Sequence, residues 1–441
     1  MTIITRFAPS PTGLLHVGNL RTALIAWLYA RSNSGKFILR IDDTDIKRSS
    51  NLYIEALQQD LQWMGIEWDI CFKQSNRVVK YEEAKQKLIT SGRLYACYET
   101  KEELDVQRKS LLSRKMPPIY DRSSLRLTIQ EKNILEAKGL KPYWRFLLNK
   151  GDISWNDKIR GSIKFKTTNL SDPVLVRTDG TLTYSLASVV DDIEYNVTDI
   201  IRGEDHISNS AIHVQLFESL FAEKRNFSHL SLLKTRDKKL SKRDSDFSIR
   251  ELRERGILPS AIALFFLKIG SSENIVAKKN IDHLIKEFAL SKFSKSTVQY
   301  DFNELCAFNT KVLHLLDFNE ISIILKKFNI EDVNEEWWLS IRSNITNVID
   351  IKYWYSVCRD DISTSITNQG LINLAKSVLP DEVFDLNTWD KWIELIKKHT
   401  TLRGKKLFMP LRIALTGQEY GPELRILLPM INKNLVLKRL N

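Results

Sequence analysis

Residues 6–19, RFAPSPTGLLHVGN, join a short apolar segment to an amphipathic one through a tight turn, and they constrain the fold more than any other stretch. The β-branched and aromatic run at 3–8 predicts a buried strand. The turn at 10–13 contains Pro11 and Gly13, and apolar periodicity resumes after it. A strand, a tight turn and a helix N-terminus together favour nucleotide binding, because free backbone N–H groups and the positive helix end face the phosphates.

The segments that follow predict a parallel α/β unit. Apolar spacing predicts a helix over 20–32, a strand over 37–41, and a second helix that Ser49 or Ser50 caps and Gly65 ends. Two strands that are joined by one helix within about 40 residues pair in parallel, so ligand groups gather at their carboxyl ends.

The same pattern returns at 174–207. The sequence predicts a short strand at 174–176, a turn at 178–181, a helix from Tyr184 and a strand at 198–202. Charged side chains follow both predicted strand ends, as RIDDTD after the first unit and RGEDH after the second. We therefore expect these groups to meet at one edge of a sheet.

Length and charge favour a multidomain protein with a polyanionic partner. The 441 residues allow two to four domains, and 66 Lys+Arg against 54 Asp+Glu give a net charge of +12. The excess is local: 101–166 holds sixteen basic and eight acidic residues, and 397–441 holds ten and two. Nucleic acid fits these stretches, although on charge alone a solvated accessory domain fits 101–166 equally well.

Other features of the sequence indicate a soluble cytoplasmic protein. The four cysteines lie far apart without CxxC spacing, which is typical of reduced, structural thiols. The N-terminus lacks the layout of a signal peptide, and no window of 18 apolar residues occurs, so we expect no membrane contact.

Beyond residue 310 the sequence predicts helices without a second phosphate-binding turn. Apolar stripes lie at 313–316, 321–328, 337–341 and 371–378. We expect most of the tryptophans in this region to form helical core, namely Trp337, Trp338, Trp354, Trp389 and Trp392.

Five motifs in one order resemble those of bacterial glutamyl-tRNA synthetases, which are class I aminoacyl-tRNA synthetases. They are APSPTGLLHVGN, RIDDTD, TDGTLTY with VVDD, IIRGEDH and KLSKR, and residues 404–424 are similar to the family's anticodon-binding region. The resemblance implies an α/β Rossmann-type catalytic domain, an inserted α+β acceptor-binding domain and an all-α C-terminal anticodon-binding domain. The expected bounds are 1–92 and 181–240 for the catalytic domain, 93–180 for the insertion, 241–309 for the KLSKR loop and a helical stem-contact region, and 310–441 for the anticodon domain.

The resemblance also implies a reaction, in which the glutamate carboxylate attacks the α-phosphate of ATP and pyrophosphate leaves with Mg²⁺. The terminal ribose hydroxyl of the tRNA then takes the glutamyl group. Because the nucleophile is already ionised, the protein supplies positioning and positive charge rather than a base. The implied catalytic residues are His16, Lys239 and Lys242, and the implied ATP-binding residues are Pro9, Gly18, Asn19, Asp205, Ser241 and Lys242. Taken alone, His16 is more typical of a helix-capping histidine than of a catalytic one, and Lys242 is more typical of a solvated lysine.

Glutamate recognition requires cations for the carboxylates and an anion for the ammonium group. Arginine offers a planar, bidentate donor fork that selects carboxylate over amide. By resemblance, the glutamate-binding residues are Arg6, Ala8, Ser10, Asp42, Tyr184, Ser188 and Arg202. Asp42, which stands where the family usually has Glu, is expected to hold the ammonium group.

We expect no zinc, because the insertion keeps one thiol at Cys97 and a structural site normally needs four N or S ligands. The expected partners are L-glutamate and tRNA-Glu, with tRNA-Gln left open, and Lys405, Lys406 and Arg412 are the expected tRNA contacts. The family implies a monomer. Two alternatives are a shorter relative that glutamylates a modified tRNA base, and a tRNA-binding protein that has lost catalysis.

Overall fold

The computed structural model describes residues 2–45, 48–234, 248–272 and 282–441. These residues form two compact units. The first contains the described residues up to Glu251 together with 266–272 and 282–301, and the second contains Leu252–Phe265 and Phe302–Asn441.

The described strands are β1 (Ile4–Phe7), β2 (Lys36–Ile41), β3 (Ile70–Lys73), β4 (Leu94–Cys97), β5 (Tyr143–Phe146), β6 (Asp152–Asp157), β7 (Gly161–Lys166), β8 (Val174–Val176), β9 (Asp199–Gly203), β10 (Asn226–Leu230), β11 (Leu233–Lys234) and β12 (Val298–Gln299). The described α-helices are α1 (Val17–Ser32), α2 (Asn51–Trp63), α3 (Val78–Thr90), α4 (Lys101–Ser113), α5 (Ile129–Ala137), α6 (Tyr184–Glu194), α7 (Ile207–Ser219), α8 (Ile249–Glu254), α9 (Pro259–Lys268), α10 (Asp282–Glu287), α11 (Phe302–Leu313), α12 (Phe318–Lys327), α13 (Glu335–Arg342), α14 (Ile349–Arg359), α15 (Gln369–Ser377), α16 (Thr388–Lys398), α17 (Lys405–Thr416), α18 (Leu424–Leu427) and α19 (Lys433–Arg439).

A five-stranded parallel sheet lies at the centre of the first unit. Its strand order is β10-β9-β1-β2-β3, so the chain runs outward from β1 on one side and returns to its other side at β9. Ligands in open α/β sheets bind at the carboxyl ends of the strands where the order reverses, which here is beside β1. The parallel unit that the sequence predicts is confirmed.

The helices of this sheet begin where side chains satisfy free backbone N–H groups. Helix α1 begins at Val17, three residues before the predicted start, because the His16 ring caps it. Of the two serines that could cap α2, Ser50 does so, accepting the backbone N–H of Leu52 at 3.3 Å.

The inserted segment carries its own small sheets. Strands β4, β5 and β8 form an antiparallel sheet, and β6 and β7 form a hairpin, which confirms the strand-rich end that the sequence predicts. Helices α4 and α5 each begin with a capping box, from Thr100 and Glu103 and from Thr128 and Glu131.

The second unit is helical throughout its described length, as predicted. Its helix α11 already begins at Phe302, before the predicted boundary at 310, and it ends at Leu313 rather than continuing through the predicted 313–316 stripe. The five tryptophans are buried, which confirms their core role. The indole N–H groups of Trp338 and Trp392 donate to backbone carbonyls at 3.0 and 2.8 Å, so their polar atoms are satisfied.

Among the described residues, no helix is both long enough and apolar enough to cross a membrane.

Candidate functional site

Three arginines lie on adjacent strands of the parallel sheet, Arg6 on β1, Arg40 on β2 and Arg202 on β9. Each side chain bonds to a residue of the helices α6 and α7 that cover this face. Asp192 Oδ1 receives Arg6 Nε at 3.1 Å and Arg40 Nη1 at 2.9 Å, and Ser210 Oγ receives Arg202 Nη2 at 2.6 Å. All three guanidinium groups are at least nine-tenths buried.

Asp42 follows β2 and forms a two-pronged ion pair with Arg40. Arg40 Nε donates to Oδ1 at 2.7 Å and Nη2 donates to Oδ2 at 3.2 Å. Burial raises the pKa of Asp42 to about 6, against the opposing effect of Arg40. Asp42 is therefore still ionised at neutral pH and can accept hydrogen bonds from a cation.

Among the described residues, Arg202 has no carboxylate partner like those of the other two arginines. Apart from Ser210, it faces the ring of Phe227 with 5.7 Å between its guanidinium carbon and the ring centre, and its buried Nε has no hydrogen-bond partner. Burial, with a contribution from Arg6, lowers its pKa to about 9. Arg202 is thus a buried cation whose charge the described residues do not balance.

The charge of this cluster is one unit positive. Four guanidinium groups, from Arg6, Arg40, Arg77 and Arg202, lie in or beside it, while Asp42, Asp191 and Asp192 supply three carboxylates. An unbalanced charge in a buried site is costly, so the cluster favours a ligand with a net charge of about −1.

The remaining predicted glutamate ligands lie around these arginines. Tyr184 begins α6, is 39% exposed, and lies with its ring centre 6.4 Å from that of His206. Ser188 Oγ accepts Arg40 Nη2 at 2.9 Å, so this hydroxyl is already engaged in positioning Arg40. Ala8 is half-buried and Ser10 is exposed in the turn after β1.

His16 caps α1, which the sequence left open as an alternative to catalysis. Its Nδ1 accepts the backbone N–H groups of Gly18 at 3.1 Å and Asn19 at 3.3 Å. A Cβ at position 18 would lie 3.1 Å from the imidazole, so the glycine lets the ring pack against the helix start. Capping therefore fixes the orientation of the ring at the positive end of the helix.

Lys239, Ser241 and Lys242 lie outside the described residues. The chain enters this segment from Lys234 in β11 and re-enters the described part at Ser248, which forms a β-bridge with His16. The next residue, Ile249, donates its N–H to the carbonyl of Leu15 at 2.9 Å. The described chain therefore resumes beside the first motif, five residues after KLSKR.

Pro9 lies in the turn after β1, and Asp205 lies after β9, the strand beside β1. The carbonyl of Pro9 accepts the backbone N–H of Asp42 at 3.0 Å and so ties the turn after β1 to the end of β2. Asp205 lies in the short 3-10 helix after β9, and its side chain is 51% exposed.

The motifs did not indicate Arg40 or Asp192 as site residues. Both hold other members of the cluster, because Arg40 binds Asp42 and Asp192 binds Arg6. Asp192 is the second acid of the VVDD motif, and Arg40 lies on β2, two residues before Asp42. Asp191, the first acid of VVDD, instead accepts Arg77 Nε at 2.7 Å and Gln74 Nε2 at 2.8 Å. Arginine two residues before a predicted acidic ligand is the one local signal that could have identified Arg40.

Cys97, the remaining thiol of the insertion, belongs to a hydrogen-bonded cluster around Glu99. Glu99 Oε1 accepts the hydroxyls of Tyr120 at 2.6 Å, Ser123 at 2.6 Å and Ser124 at 2.8 Å. Although burial raises the pKa of Glu99, the hydroxyls of Ser123 and Tyr120 lower it to about 2. Within the described ranges, no group of three or more His, Cys, Asp or Glu residues could hold a metal ion.

Of the three predicted tRNA contacts in the second unit, Lys405 and Lys406 are exposed at the start of α17. Arg412 is half-buried, and its Nη1 donates to the carbonyl of Pro422 at 2.9 Å. Its guanidinium therefore holds the loop after α17 in addition to any role on the surface.

Comparisons with known proteins bear on the whole chain. Residues 2–314 match the family model "tRNA synthetases class I (E and Q), catalytic domain", and residues 367–441 match "Anticodon binding domain". The chain is 46% identical over 441 residues to glutamate–tRNA ligase 1 of Rickettsia bellii (strain OSU 85-389), covering 99% of each. It is 48% identical over 444 residues to glutamate–tRNA ligase 1 of Orientia tsutsugamushi (strain Ikeda), covering 100% of this chain and 99% of that one. Its fold is similar to the crystal structure of a glutamate tRNA ligase from Elizabethkingia meningosepticum in complex with its amino acid, with a TM-score of 0.82, 29% identity, and coverage of 100% and 99%.

Proposed function

The chain belongs to the glutamate–tRNA ligase family of class I aminoacyl-tRNA synthetases, and we propose that it activates L-glutamate with ATP and transfers it to tRNA-Glu. The resemblance that the motifs indicate is confirmed by these relatives. The expected order of a class I catalytic domain followed by a helical anticodon-binding domain is also confirmed.

The buried, unbalanced charge of Arg202 is the observation that carries the choice of substrate. Glutamate at neutral pH has two carboxylates and one ammonium group, hence a net charge of about −1. That charge complements the single positive excess of the cluster. We assign the two carboxylates to Arg202 and Arg6, with Tyr184 beside them, and the ammonium group to Asp42.

This assignment explains discrimination against glutamine. The neutral amide of glutamine would leave the buried charge of Arg202 uncompensated, and an unpaired group in a site that is built for hydrogen bonding is strongly disfavoured. Arg202 therefore selects by penalising the wrong substrate as much as by binding the right one.

ATP is proposed to bind where α1 begins, with its phosphates toward the positive end of the helix and the ring of His16. The other residues proposed to bind ATP here are Pro9, Gly18, Asn19 and Asp205. Lys239 and Lys242 are proposed to supply charge to the leaving pyrophosphate, and Ser241 is proposed to bind ATP beside them. The β-bridge between Ser248 and His16 supports this placement. Mg²⁺ is proposed to arrive with the triphosphate, whose oxygens and water satisfy its preference for hard ligands.

In the proposed reaction, a glutamate carboxylate oxygen attacks the α-phosphorus and the bond to the bridging oxygen of pyrophosphate breaks. The adenylate carbonyl is then attacked by the terminal ribose hydroxyl of the tRNA, and AMP leaves. Arg6, Arg202 and Asp42 hold the amino acid through both steps. None of them transfers a proton in the first step, because the attacking carboxylate is already ionised at neutral pH. In the second step the proton of the ribose hydroxyl passes to the leaving phosphate or to water.

Three parts of the chain are proposed to hold tRNA. The inserted segment 93–180, between catalytic parts 1–92 and 181–240, would take the acceptor end, and 241–309 the adjoining stem. The helical part 310–441 would take the anticodon arm, with the exposed Lys405 and Lys406 on phosphates. We expect a cytoplasmic monomer.

We propose that the insertion folds without zinc, because hydroxyl groups and the Glu99 carboxylate surround Cys97 rather than the four N or S ligands that a structural zinc site normally needs. Incubating the purified protein with a strong chelator should leave its melting temperature unchanged. Stoichiometric zinc in the purified protein would contradict this proposal.

Aminoacylation with labelled glutamate tests the proposed function. The protein should charge tRNA-Glu in the presence of ATP and Mg²⁺, and a parallel reaction with tRNA-Gln establishes whether it accepts both. Failure of a folded preparation to charge either tRNA would overturn the proposal and favour a tRNA-binding protein without catalysis. The helical second unit with its anticodon-binding match disfavours the shorter base-modifying relative.

A further inference from the structure

A continuous line of buried hydrogen bonds runs from Arg202 to a carboxylate of the inserted segment. Arg202 Nη2 donates to Ser210 Oγ at 2.6 Å, Ser210 Oγ lies 2.7 Å from His229 Nε2, and His229 Nδ1 lies 2.5 Å from Asp157 Oδ2. The four residues come from β9, α7, β10 and β6, and none is more than 8% exposed. We call Ser210, His229 and Asp157 the Arg202 relay.

The proton on each link follows from the groups that surround it. Although burial raises the pKa of Asp157, the contacts with His229 and with the backbone N–H of Arg160 lower it overall, so Asp157 is a carboxylate. It accepts the N–H groups of Ile159 and Arg160 at 3.0 and 2.9 Å. The proton between Asp157 and His229 therefore sits on Nδ1 of the histidine.

The hydroxyl of Ser210 must then donate to His229. Burial lowers the pKa of His229, so the ring is neutral and its Nε2 carries a lone pair rather than a proton. Ser210 gives its one proton to that lone pair at 2.7 Å, in preference to the longer contact of 3.2 Å with the carbonyl of His206. The oxygen of Ser210 keeps a lone pair to accept Arg202.

We propose that Ser210, His229 and Asp157 are positioning residues that orient Arg202 through a neutral acceptor, so that its full charge is kept for the substrate carboxylate. This inference rests on the proposed function, in which Arg202 contacts glutamate. A carboxylate in the place of Ser210 would orient the guanidinium equally well but would also neutralise it.

The other two arginines of the site show the contrast. Arg6 and Arg40 share Asp192, and Arg40 has Asp42 as well, so their charges are compensated within the protein. The negative charge of the relay lies two hydrogen-bonded groups away from Arg202. Of the three, Arg202 is therefore the one whose charge distinguishes a carboxylate from an amide.

The test compares Ser210→Ala with Ser228→Ala, using the full-length protein and aminoacylation of tRNA. Ser228 is 1% exposed and precedes His229 on the same strand, and among the described residues its hydroxyl has no hydrogen-bond partner. Ser228→Ala therefore removes the same buried hydroxyl group as Ser210→Ala without breaking the relay. Ser210→Ala should raise KM for glutamate about ten- to hundredfold while KM for ATP and for tRNA changes less than about twofold. Ser228→Ala should leave all three constants within about twofold of wild type.

Two further variants separate orientation from charge. Ser210→Thr keeps the hydroxyl and should recover most of the affinity for glutamate. Ser210→Asp offers a charged acceptor, and it should raise KM for glutamate and lower the preference for glutamate over glutamine. Thermal melting establishes that each variant is folded before its kinetics are compared.

An unchanged KM for glutamate in folded Ser210→Ala overturns the proposal that the relay positions Arg202. A proportional rise in all three Michaelis constants overturns it as well. Ser210→Asp that binds glutamate as well as wild type also overturns it. These outcomes leave the proposed function standing, because wild type and Ser228→Ala still charge tRNA. Wild type that does not charge tRNA overturns the proposed function itself.

Discussion

The guanidinium of Arg40 donates to both carboxylate oxygens of Asp42, at 2.7 and 3.2 Å, and in the same orientation donates to Asp192 at 2.9 Å. The pair is almost fully buried at the end of β2. Asp42 is thus a rigid acceptor, and its position is set by the protein before any ligand arrives.

Binding of glutamate should weaken as the pH falls through about 6, the pKa to which burial raises Asp42. The ionised form holds the ammonium group, so KM for glutamate should be constant above this pKa and rise about tenfold for each pH unit below it. Measuring KM for glutamate from about pH 8 to about pH 5 checks the prediction. A flat profile across this range would contradict it.

Asp42→Asn should raise KM for glutamate about ten- to hundredfold and should remove this pH dependence, because the amide cannot ionise. Asp69→Asn is the matched control. Asp69 lies just before β3, at the amino end of the strands, where it pairs with Arg31 at 2.9 Å. The control should keep both the wild-type KM and its pH profile.

Substitutions of His16 can separate capping from catalysis. His16→Ala removes the acceptor for the N–H groups of Gly18 and Asn19 and should lower the free energy of unfolding by about 0.5–2 kcal/mol. His16→Asn restores a capping oxygen and should be close to wild type in stability. Both variants should lose kcat, because neither presents an imidazole to the phosphates.

Urea denaturation and steady-state aminoacylation measure the two effects. If His16→Asn recovers wild-type kcat together with stability, His16 is a capping residue only. If both variants lose kcat equally while they differ in stability, the two roles are independent.

Local patterns predicted the elements of this fold but not the contacts that make the site work. The strand at 174–176 has the predicted bounds, and α1 differs at its start because a ring nitrogen of His16 replaces a conventional cap. Arg6 meets Asp192 across 186 positions, and His229 meets Asp157 across 72. Such pairs depend on how strands and helices stack, and no periodicity within either segment reports them.

The motifs predict candidate ligand residues, whereas the residues that orient those candidates were missed. Arg202 was identified because RGEDH belongs to a recognisable pattern, whereas Ser210 lies in a helix where serine carries no signal. The hydroxyl of Ser210 becomes informative only once the structure places it between a guanidinium and an imidazole.

The Glu99 cluster should stabilise the fold in a defined pH window. The hydroxyl donors, against the effect of burial, lower the pKa of Glu99 from 4.5 to about 2 in the folded state. The ionised carboxylate of Glu99 therefore contributes fully to the free energy of unfolding above about pH 4.5, and this contribution is lost as the pH falls toward about 2. Glu99→Gln should lower stability above this window and should show a smaller loss of stability within it than wild type.

Circular dichroism in urea at several pH values checks this, with Glu102→Gln as control. Glu102 is exposed in the first turn of α4, in the same segment, and its substitution should leave the pH dependence as in wild type. If the free energy of unfolding changes with pH equally in wild type and in Glu99→Gln across this window, the ionised carboxylate of Glu99 does not stabilise the fold.

Lys242 lies outside the described residues, yet the anchoring of Ser248 beside His16 makes a sharp prediction for it. In the proposed reaction its ammonium group meets charge that develops on the leaving pyrophosphate, so Lys242→Ala should slow adenylate formation on the order of 10²–10³-fold. The lysines proposed to contact tRNA phosphates, Lys405 and Lys406, lie in α17, so affinity for tRNA should change little. Rapid-quench measurement of the adenylate and filter binding of tRNA give the two quantities.

The control is Lys234→Ala, which removes an exposed lysine at the other end of the segment and should keep the wild-type rate. A Lys242→Ala variant that forms adenylate at the wild-type rate would remove this lysine from the mechanism, whereas parallel losses in both variants would indicate a general effect of charge on this segment.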